Sequence, residues 1–340
     1  MAERELNARE NLLLAAKMTN NNEIIDVAEV LNEDNDVLQD AIVQKATDIT
    51  SDVVSRRTAL PGSQWVKAGN GWKATTGLLQ QVREEIGMQK ARFQAPEDVM
   101  RIQPNPAKYR QQQQRAYIES MGQEVSNTIF GSWSAGAISP AVAPPEEFAG
   151  FSYRYPSLST ARTSYVLNNG STQAAANTSI WFVQWSPTKV YLTYPRNTDG
   201  GGLKVMDKGL QFVPGDNMAG NVANDNMLWA FVTEFSWDVG LSVADTRSVK
   251  RLANIDTTAG STKSLDEDKI IQIRNNFKGS ERIFMYCNET VFTQLQILAK
   301  DKGNVRWTET DPFGKPQFNF LDMPVRRSDS ISNVEAVLTT

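Results

Sequence analysis

Residues 56–96 read RRTALPGSQWVKAGNGWKATTGLLQQVREEIGMQKARFQAP, and the fold turns on what this stretch can lie against. Gly69-Asn70-Gly71 is a turn signal, flanked by one extended stretch around Trp65 and a second from Lys73 to Val82. Isolated hairpins are marginal in water. One of this length carrying Trp65, Trp72 and Leu78 needs a partner surface, supplied by its own domain or by another subunit. Loops beyond about 15 residues are uncommon inside compact domains and are usually functional, which favours a contact outside the subunit for both tryptophans.

Pro104 and Pro106 close the excursion, and AKYRQQQQRAYIESMGQEVSNTIF predicts a helix from about Ala107 to Phe130, ended by Gly131. Ile118, Met121, Val125 and Ile129 mark its apolar face, while Arg110 and Gln111 to Gln114 begin the wet side. At 1.5 Å per residue it spans about 36 Å, long for an ordinary domain. Further on, Ser179 to Tyr194 and Leu228 to Ile255 are rich in β-branched and aromatic residues and read as long antiparallel strands. Helix signals return with Leu265-Asp266-Glu267, opening a helix to about Phe277, and with Asn288, capping another to about Lys300. The strand-like FNFLDMPVRRSDSI finishes the chain.

Before the excursion, residues 1–55 are polar. Positions 21–40 carry Glu23, Asp26, Glu29, Glu33, Asp34, Asp36 and Asp40 with no Lys or Arg. Ile24, Val27, Val30 and Leu31, then Leu38, Ile42 and Ile49, fall at spacings of three, four and seven, as on one helix face. Two readings stand: a solvated acidic tail, or an arm whose apolar stripe packs on a neighbour.

The chain has 340 residues and no histidine, which removes Ser-His-Asp and Cys-His catalysis, His-bearing zinc sites and imidazole shuttles. With 35 Lys+Arg against 39 Asp+Glu the net charge is −4, against a basic nucleic-acid binder. The single Cys287 excludes an intrachain disulfide framework and reads as a buried thiol. The N-terminal apolar run Leu12 to Ala16 is too short for a signal peptide, and no run reaches the 18 apolar residues of a membrane span. Gly215 to Gly220 has P-loop spacing, but Asn221 stands where the phosphate-neutralising Lys belongs. Asp266, Glu267 and Asp268 are read as first-turn acids favoured by the helix dipole, not as metal ligands. The pairs Arg56-Arg57 and Arg326-Arg327 are read as surface charges. No catalytic residue, cofactor or metal is expected.

A resemblance is carried by whole segments. QWVKAGNGWKATTGLLQQVREEIGM, RAYIESMGQEVSNTIFG and PEEFAGF, then TSIWFVQWSPTKVYLTYPRN, FSWDVGLSVADTRSVKRLANID, FMYCNETVFTQL and FLDMPVRRSDSI, stand in the order found in GP7-type major capsid proteins of tailed bacteriophages. From about Arg56 onward the chain resembles that family. The resemblance implies an α+β chain of the HK97-type capsid fold. In it 1–55 would be an N-terminal arm, 56–96 the E-loop, 97–255 a peripheral domain with the spine helix at 107–130, and 256–340 an axial domain. It implies self-association into hexamers and pentamers, an icosahedral head shell around double-stranded DNA, and a portal protein, with scaffold and decoration proteins as possible further partners.

Ile24, Val27, Leu31, Leu38, Trp65, Lys67, Trp72, Lys73 and Leu78 are the expected inter-subunit contacts. Some HK97-fold shells join an E-loop lysine to a neighbour's asparagine. Lys67 and Lys73 are the lysines on offer here, and no such cross-link is expected, because the reaction needs a desolvated lysine beside a carboxylate. Two rivals remain: a cellular nanocompartment shell, and an all-β glycan-binding surface protein suggested by Trp181, Trp185, Trp229 and Trp237.

Overall fold

A computed structural model describes residues 19–20, 23–24, 36–131, 147–158, 165–198, 200–214, 227–258, 264–279, 281–301 and 318–339. In chain order the elements are β1 (Thr19–Asn20), β2 (Glu23–Ile24), α1 (Val37–Asp40), β3 (Val43–Lys45), β4 (Ser51–Ala59), β5 (Leu78–Pro96), α2 (Glu97–Ile102) and α3 (Pro106–Phe130). There follow α4 (Phe151–Arg154), β6 (Val166–Asn168), β7 (Asn177–Val183), β8 (Val190–Tyr194), β9 (Lys204–Pro214), β10 (Met227–Val243) and β11 (Val249–Asp256). Then come α5 (Glu267–Asn276), β12 (Phe284–Cys287), α6 (Glu289–Asp301), β13 (Asn319–Phe320) and β14 (Met323–Arg327). The chain divides into two compact units, one of Met1–Asn32, Met88–Glu124 and Gly202–Trp237, the other of Glu33–Gly87, Val125–Gly201 and Asp238–Thr340. The divisions fall inside β5, α3 and β10.

The larger unit holds two sheets. One is ordered β3-β8-β10-β5-β4, and the other β13-β14-β12-β7-β11-β6. Each of the two extended regions is therefore broken in two, and its halves join different sheets. The first breaks at Ser186-Pro187-Thr188-Lys189, where proline withholds a ladder donor. The second breaks at a short 3-10 turn, Thr246–Ser248, capped by the Asp245 carboxylate accepting from the Arg247 N–H. β7 pairs antiparallel with β11, and β8 with β10, so one two-stranded ribbon passes from sheet to sheet. The expected boundary at residue 256 is thus not where the sheets divide, since β6, β7 and β11 share a sheet with β12 to β14.

Period-two alternation gives that second sheet two different faces. Ile180, Phe182, Leu252, Met285 and Val325 pack with Ile270 and Ile273 of α5 and Val291 and Leu295 of α6. On the other side Trp181 stacks on Phe151 at 5.7 Å, and Tyr286 meets Phe130 at 5.6 Å. The Asn288 side chain caps α6 through the Val291 N–H at 3.0 Å as the sequence predicts, and Asp266, read as a first-turn acid, is itself the cap of α5 through the Asp268 N–H. Cys287 is fully buried, and burial pushes its thiol up to about 12. Trp181 and Trp185 are core residues, so they cannot stack on sugars, and the helices complete the case against the all-β reading.

In the smaller unit the N-terminal half of α3 packs beside β5 and the β9–β10 hairpin. Tyr117 stacks on Phe235 at 5.7 Å and meets Phe93 edge-on at 5.8 Å, among buried Val99, Met100, Tyr109 and Met121. Proline occupies the first position of α3, where its missing N–H costs nothing, and Asn105 caps the Lys108 N–H at 3.1 Å. Gly131 ends the helix at φ 68°, a left-handed conformation that favours glycine. Met121, Val125 and Ile129 are buried as expected. Ile118 is not: it is exposed, because in this unit the inward stripe is Tyr109, Tyr117 and Met121. Nor does Arg110 begin a wet side, since its guanidinium donates to Asp207 at 2.6 Å and lies over the Phe231 ring.

Where the N-terminal segment is described, it follows its helical reading only in part. Among the described residues of this segment Ile24 sits in a strand paired with β1, Ile42 and Ile49 lie outside any helix, and only Val37–Asp40, which includes Leu38, is helical. Directly after Ile42, β3 pairs in parallel with β8, a non-local ladder that helical spacing does not anticipate.

Candidate assembly surface

The excursion is a hairpin whose root and tip differ. Its ladder pairs Ser51–Ala59 with Leu78–Glu85, so it starts five residues before Arg56. Residues 60–77 contain no strand, against the expected extended stretch around Trp65. The turn closes by an Asn70 N–H donating to the Lys67 carbonyl at 3.1 Å, with Gly69 at φ 90° in the position that demands a left-handed residue. It is centred on Ala68-Gly69, slightly ahead of the expected place.

The root is fixed by buried charge. Glu84, with only 6% of its side chain exposed, accepts from Arg56 at 2.8 Å and from both-oxygen contacts with Arg154 at 2.8 and 2.7 Å. Arg154 also donates to the Leu241 and Ala149 carbonyls, and Arg56 donates to the Val243 carbonyl. Beside it the buried Asp52 carboxylate accepts from the Thr47 N–H and hydroxyl, from Tyr191 at 2.8 Å and from Ser242 at 2.9 Å. Burial and this carboxylate both push the Tyr191 hydroxyl pKa well above its ordinary value. Asp40, at the end of α1, takes two hydrogen bonds from Arg326 at 3.0 Å and one from Tyr286. Arg56 and Arg326 are therefore structural ions, not the surface charges the pairs suggested.

Among the described residues the tip has no such partners. Trp65 is 104% and Trp72 80% exposed, and Leu60, Val66, Leu78 and Leu79 are exposed with them. Lys67 and Lys73 lie on the same exposed segment. Leu38, on α1, is half-buried within its own unit. The Ile24 backbone is in β2, and Val27 and Leu31 lie outside the described residues, as do the Gly215 to Gly220 spacing and Asn221. Leu60, Val66 and Leu79 belong with the expected tip residues and were signalled only by lying in the same excursion.

A second exposed apolar set was not expected. On β9–β10, Phe212 and Trp229 face each other with ring centroids 5.2 Å apart, and Leu210 and Met227 flank them. Among the described residues no group of three Cys, Asp or Glu side chains is placed to hold a metal ion, and no helix is long and apolar enough to cross a membrane.

The architecture is shared with known proteins. A chain in the structure of bacteriophage Epsilon15 is 23% identical, with 100% of this chain and 99% of that one covered and a TM-score of 0.70, so the two have one fold. The bacteriophage JBD30 capsid matches at 11% identity over 89% of this chain and 96% of that one, with a TM-score of 0.45. The holo-SrpI encapsulin complex from Synechococcus elongatus PCC 7942 matches at 12% identity over 77% and 99%, also at 0.45. At that level neither separates a virion shell from a cellular compartment. No curated protein matches the chain. The family described as major capsid protein GP7 matches residues 19–339, nearly the whole sequence. A mixed α and β chain of the HK97-type fold, built around an exposed aromatic hairpin on a charged, buried root, thus belongs to the GP7 family of major capsid proteins.

Proposed function

We propose that this capsid subunit closes an icosahedral head shell by repeating one heterologous contact, with residues 60–77 acting as the E-loop that reaches a neighbouring copy. The observation that carries this is the contrast between a hairpin root held by Glu84 and Asp52 and a tip bearing a fully exposed Trp65. A heterologous interface repeated by rotation closes into rings, here hexamers and pentamers, and segments that reach across ring boundaries join them. In this scheme α3 is the spine helix, the β13 to β6 sheet with α5 and α6 is the axial domain, and residues before 36 are the arm. Trp65, Trp72 and Leu78, with Lys67 and Lys73 beside them, make the contact.

The shell encloses double-stranded DNA without gripping it, which a net charge of −4 supports, because non-specific affinity rises steeply with the number of cationic contacts. A portal protein occupies one vertex, and scaffold or decoration proteins assist where present. Purified chain, examined by sedimentation and negative-stain microscopy with and without its neighbouring phage gene products, is expected to form capsomers or closed shells. A monomer that persists at high concentration under all these conditions would overturn the proposal.

A further inference from the structure

The sequence holds two Asn-Gly pairs, Asn70-Gly71 and Asn169-Gly170, and the fold treats them in opposite ways. This dipeptide is chemically labile. The side-chain amide carbon of the asparagine can be reached by the backbone nitrogen that follows it, and glycine sets no Cβ beside that nitrogen as a shield. Folding decides whether the two atoms are free to meet.

At Asn169 both are tied down. Its side-chain amide donates to the Ser264 carbonyl at 2.8 Å, and its side-chain oxygen accepts from the Asp266 N–H at 3.1 Å. The Gly170 N–H donates to the Asn168 side chain at 2.9 Å, so the attacking nitrogen is occupied as well. Attack would first have to break these bonds, the first two of them in a part-buried site. At Asn70 both atoms are free. The turn closes through the Asn70 N–H on the Lys67 carbonyl, so its hydrogen-bonded ring ends just before the reacting atoms. Asn70 and Gly71 are exposed, and beyond its chain neighbours no atom lies within 4 Å of the place a Gly71 Cβ would take. Among the described residues neither the Asn70 side chain nor the Gly71 N–H has a hydrogen-bond partner.

We infer that Asn70 is a self-modification site: in the unassembled subunit it converts spontaneously to aspartate and isoaspartate, and this limits how long a free subunit stays competent to assemble. The effect on assembly rests on the E-loop reading above; the conversion itself does not. The Gly71 backbone nitrogen, having lost its proton to solvent base, attacks the Asn70 Cγ. An N–Cγ bond forms, the Cγ–Nδ2 bond breaks with its electron pair, and Nδ2 takes up a proton and leaves as ammonia. Water then opens the cyclic imide at either carbonyl. Breaking the new N–Cγ bond leaves aspartate in an unchanged backbone, and breaking the original peptide bond leaves isoaspartate, whose main chain runs through Cβ and Cγ. Water is consumed, ammonia is released, and nothing is oxidised or reduced. Both products put a carboxylate into a segment, 60–77, that contains Lys67 and Lys73 and no acid. Isoaspartate also lengthens the backbone directly after the Lys67–Asn70 hydrogen bond, between Trp65 and Trp72, so the two indoles lose the spacing at which the turn presents them.

The test ages the unassembled full-length chain at mildly alkaline pH and follows it by tryptic digestion and mass spectrometry. Cleavage after Lys67 and Lys73 isolates the reacting pair in the peptide Ala68–Lys73. That peptide is expected to gain the mass shift of amide to acid steadily and to become a substrate for isoaspartate-specific methyl labelling, while the peptide holding Asn169 stays unchanged until the chain is unfolded in urea. Gly71→Ala, which the open space at Gly71 accommodates, should largely abolish the conversion. Aged chain should lose shell yield in proportion to the converted fraction, and Asn70→Gln aged in parallel should keep it, because its longer side chain cyclises far more slowly. Equal rates at Asn70 and Asn169 in the folded chain, or no conversion at Asn70, would overturn the site. Conversion at Asn70 with undiminished yield would overturn its hold on assembly. Trp65→Ala with Trp72→Ala, assembled alongside, separates the two readings: if that variant forms normal shells the E-loop reading falls and the effect on assembly with it, whereas the peptide measurement on free subunits judges the conversion by itself.

Discussion

The two ends of one hairpin are built on opposite principles. At the root a carboxylate and two guanidiniums are removed from water together, and Asp52 is enclosed by three hydroxyls and a backbone N–H. At the tip two indoles stand in solvent. Buried ion clusters add little net stability over apolar packing, but they punish the loss of any one member. Exposed aromatics have the reverse economy: they add nothing to the isolated subunit and become valuable only when another surface desolvates them. On the function proposed above, the root orients the hairpin and the tip associates.

Truncation should give the largest effect. Removing residues 1–50 takes away Thr47, β3 and the Asp40 partner of Arg326, and is expected to abolish cooperative unfolding as followed by circular dichroism. Removing 1–35 leaves all of these and should keep the melting transition while lowering shell yield. Next comes the root ion: Glu84→Ala leaves Arg56 and Arg154 without their shared carboxylate and should cost about 3 to 5 kcal/mol in urea denaturation of the subunit. A loss comparable to that of an exposed pair would mean that water reaches the cluster.

The tip should respond the other way. Trp65→Ala with Trp72→Ala is expected to leave subunit melting unchanged and to remove about 2 kcal/mol or more from each inter-subunit contact, read as lost shell formation. A destabilised subunit with normally stable shells would break the contrast.

The smallest effect concerns a third kind of lysine environment. Lys250 on β11 is buried between the rings of Tyr165 and Phe277, and desolvation lowers its pKa to about 8. A folded pKa below the unfolded value means that the unfolded chain binds the extra proton between about pH 8 and 10.5, so stability rises with pH across that window. Lys250→Met should therefore be more stable by about 1 kcal/mol at neutral pH, with the gap closing as pH rises through the window. Thermal melts of both proteins from pH 7 to 10 measure it.

Local signals carried most of what could be read beforehand. α3 was legible because Pro106 opens it, an apolar stripe runs along it and Gly131 ends it, and α5 and α6 announced themselves through the opening Leu265-Asp266-Glu267 and the capping Asn288. Trp65 and Trp72 were legible as residues without a core because their segment is too long for an internal loop. The root was not, since Glu84 meets partners 28 and 70 residues away and Arg56 reaches a carbonyl 187 residues on. The two extended regions looked continuous because both halves of each have strand composition, and only Pro187 and the Asp245 cap betray the change of sheet. Of the described stripe residues Leu38 lies in α1 while Ile24, Ile42 and Ile49 lie outside any helix, and the parallel ladder of β3 with β8 that begins beside Ile42 is not visible in local spacing. The β9–β10 face escaped notice because alternation shows which residues share a side, but not how far a covering helix extends.

The ribbon that passes between the sheets has a mechanical consequence. At the crossing the Gln184 N–H donates to Ser248, the Ala244 N–H donates to Lys189, and the Lys189 ammonium is held by Gln184 and Glu281, so the strands stay joined where they change partners. Ladder hydrogen bonds run across the strands, so tension applied along the ribbon strains many of them in parallel, whereas a force that pried the strands apart would break them one after another. Stretch along this axis is therefore resisted by shear of the ladder bonds on both sides of the crossing.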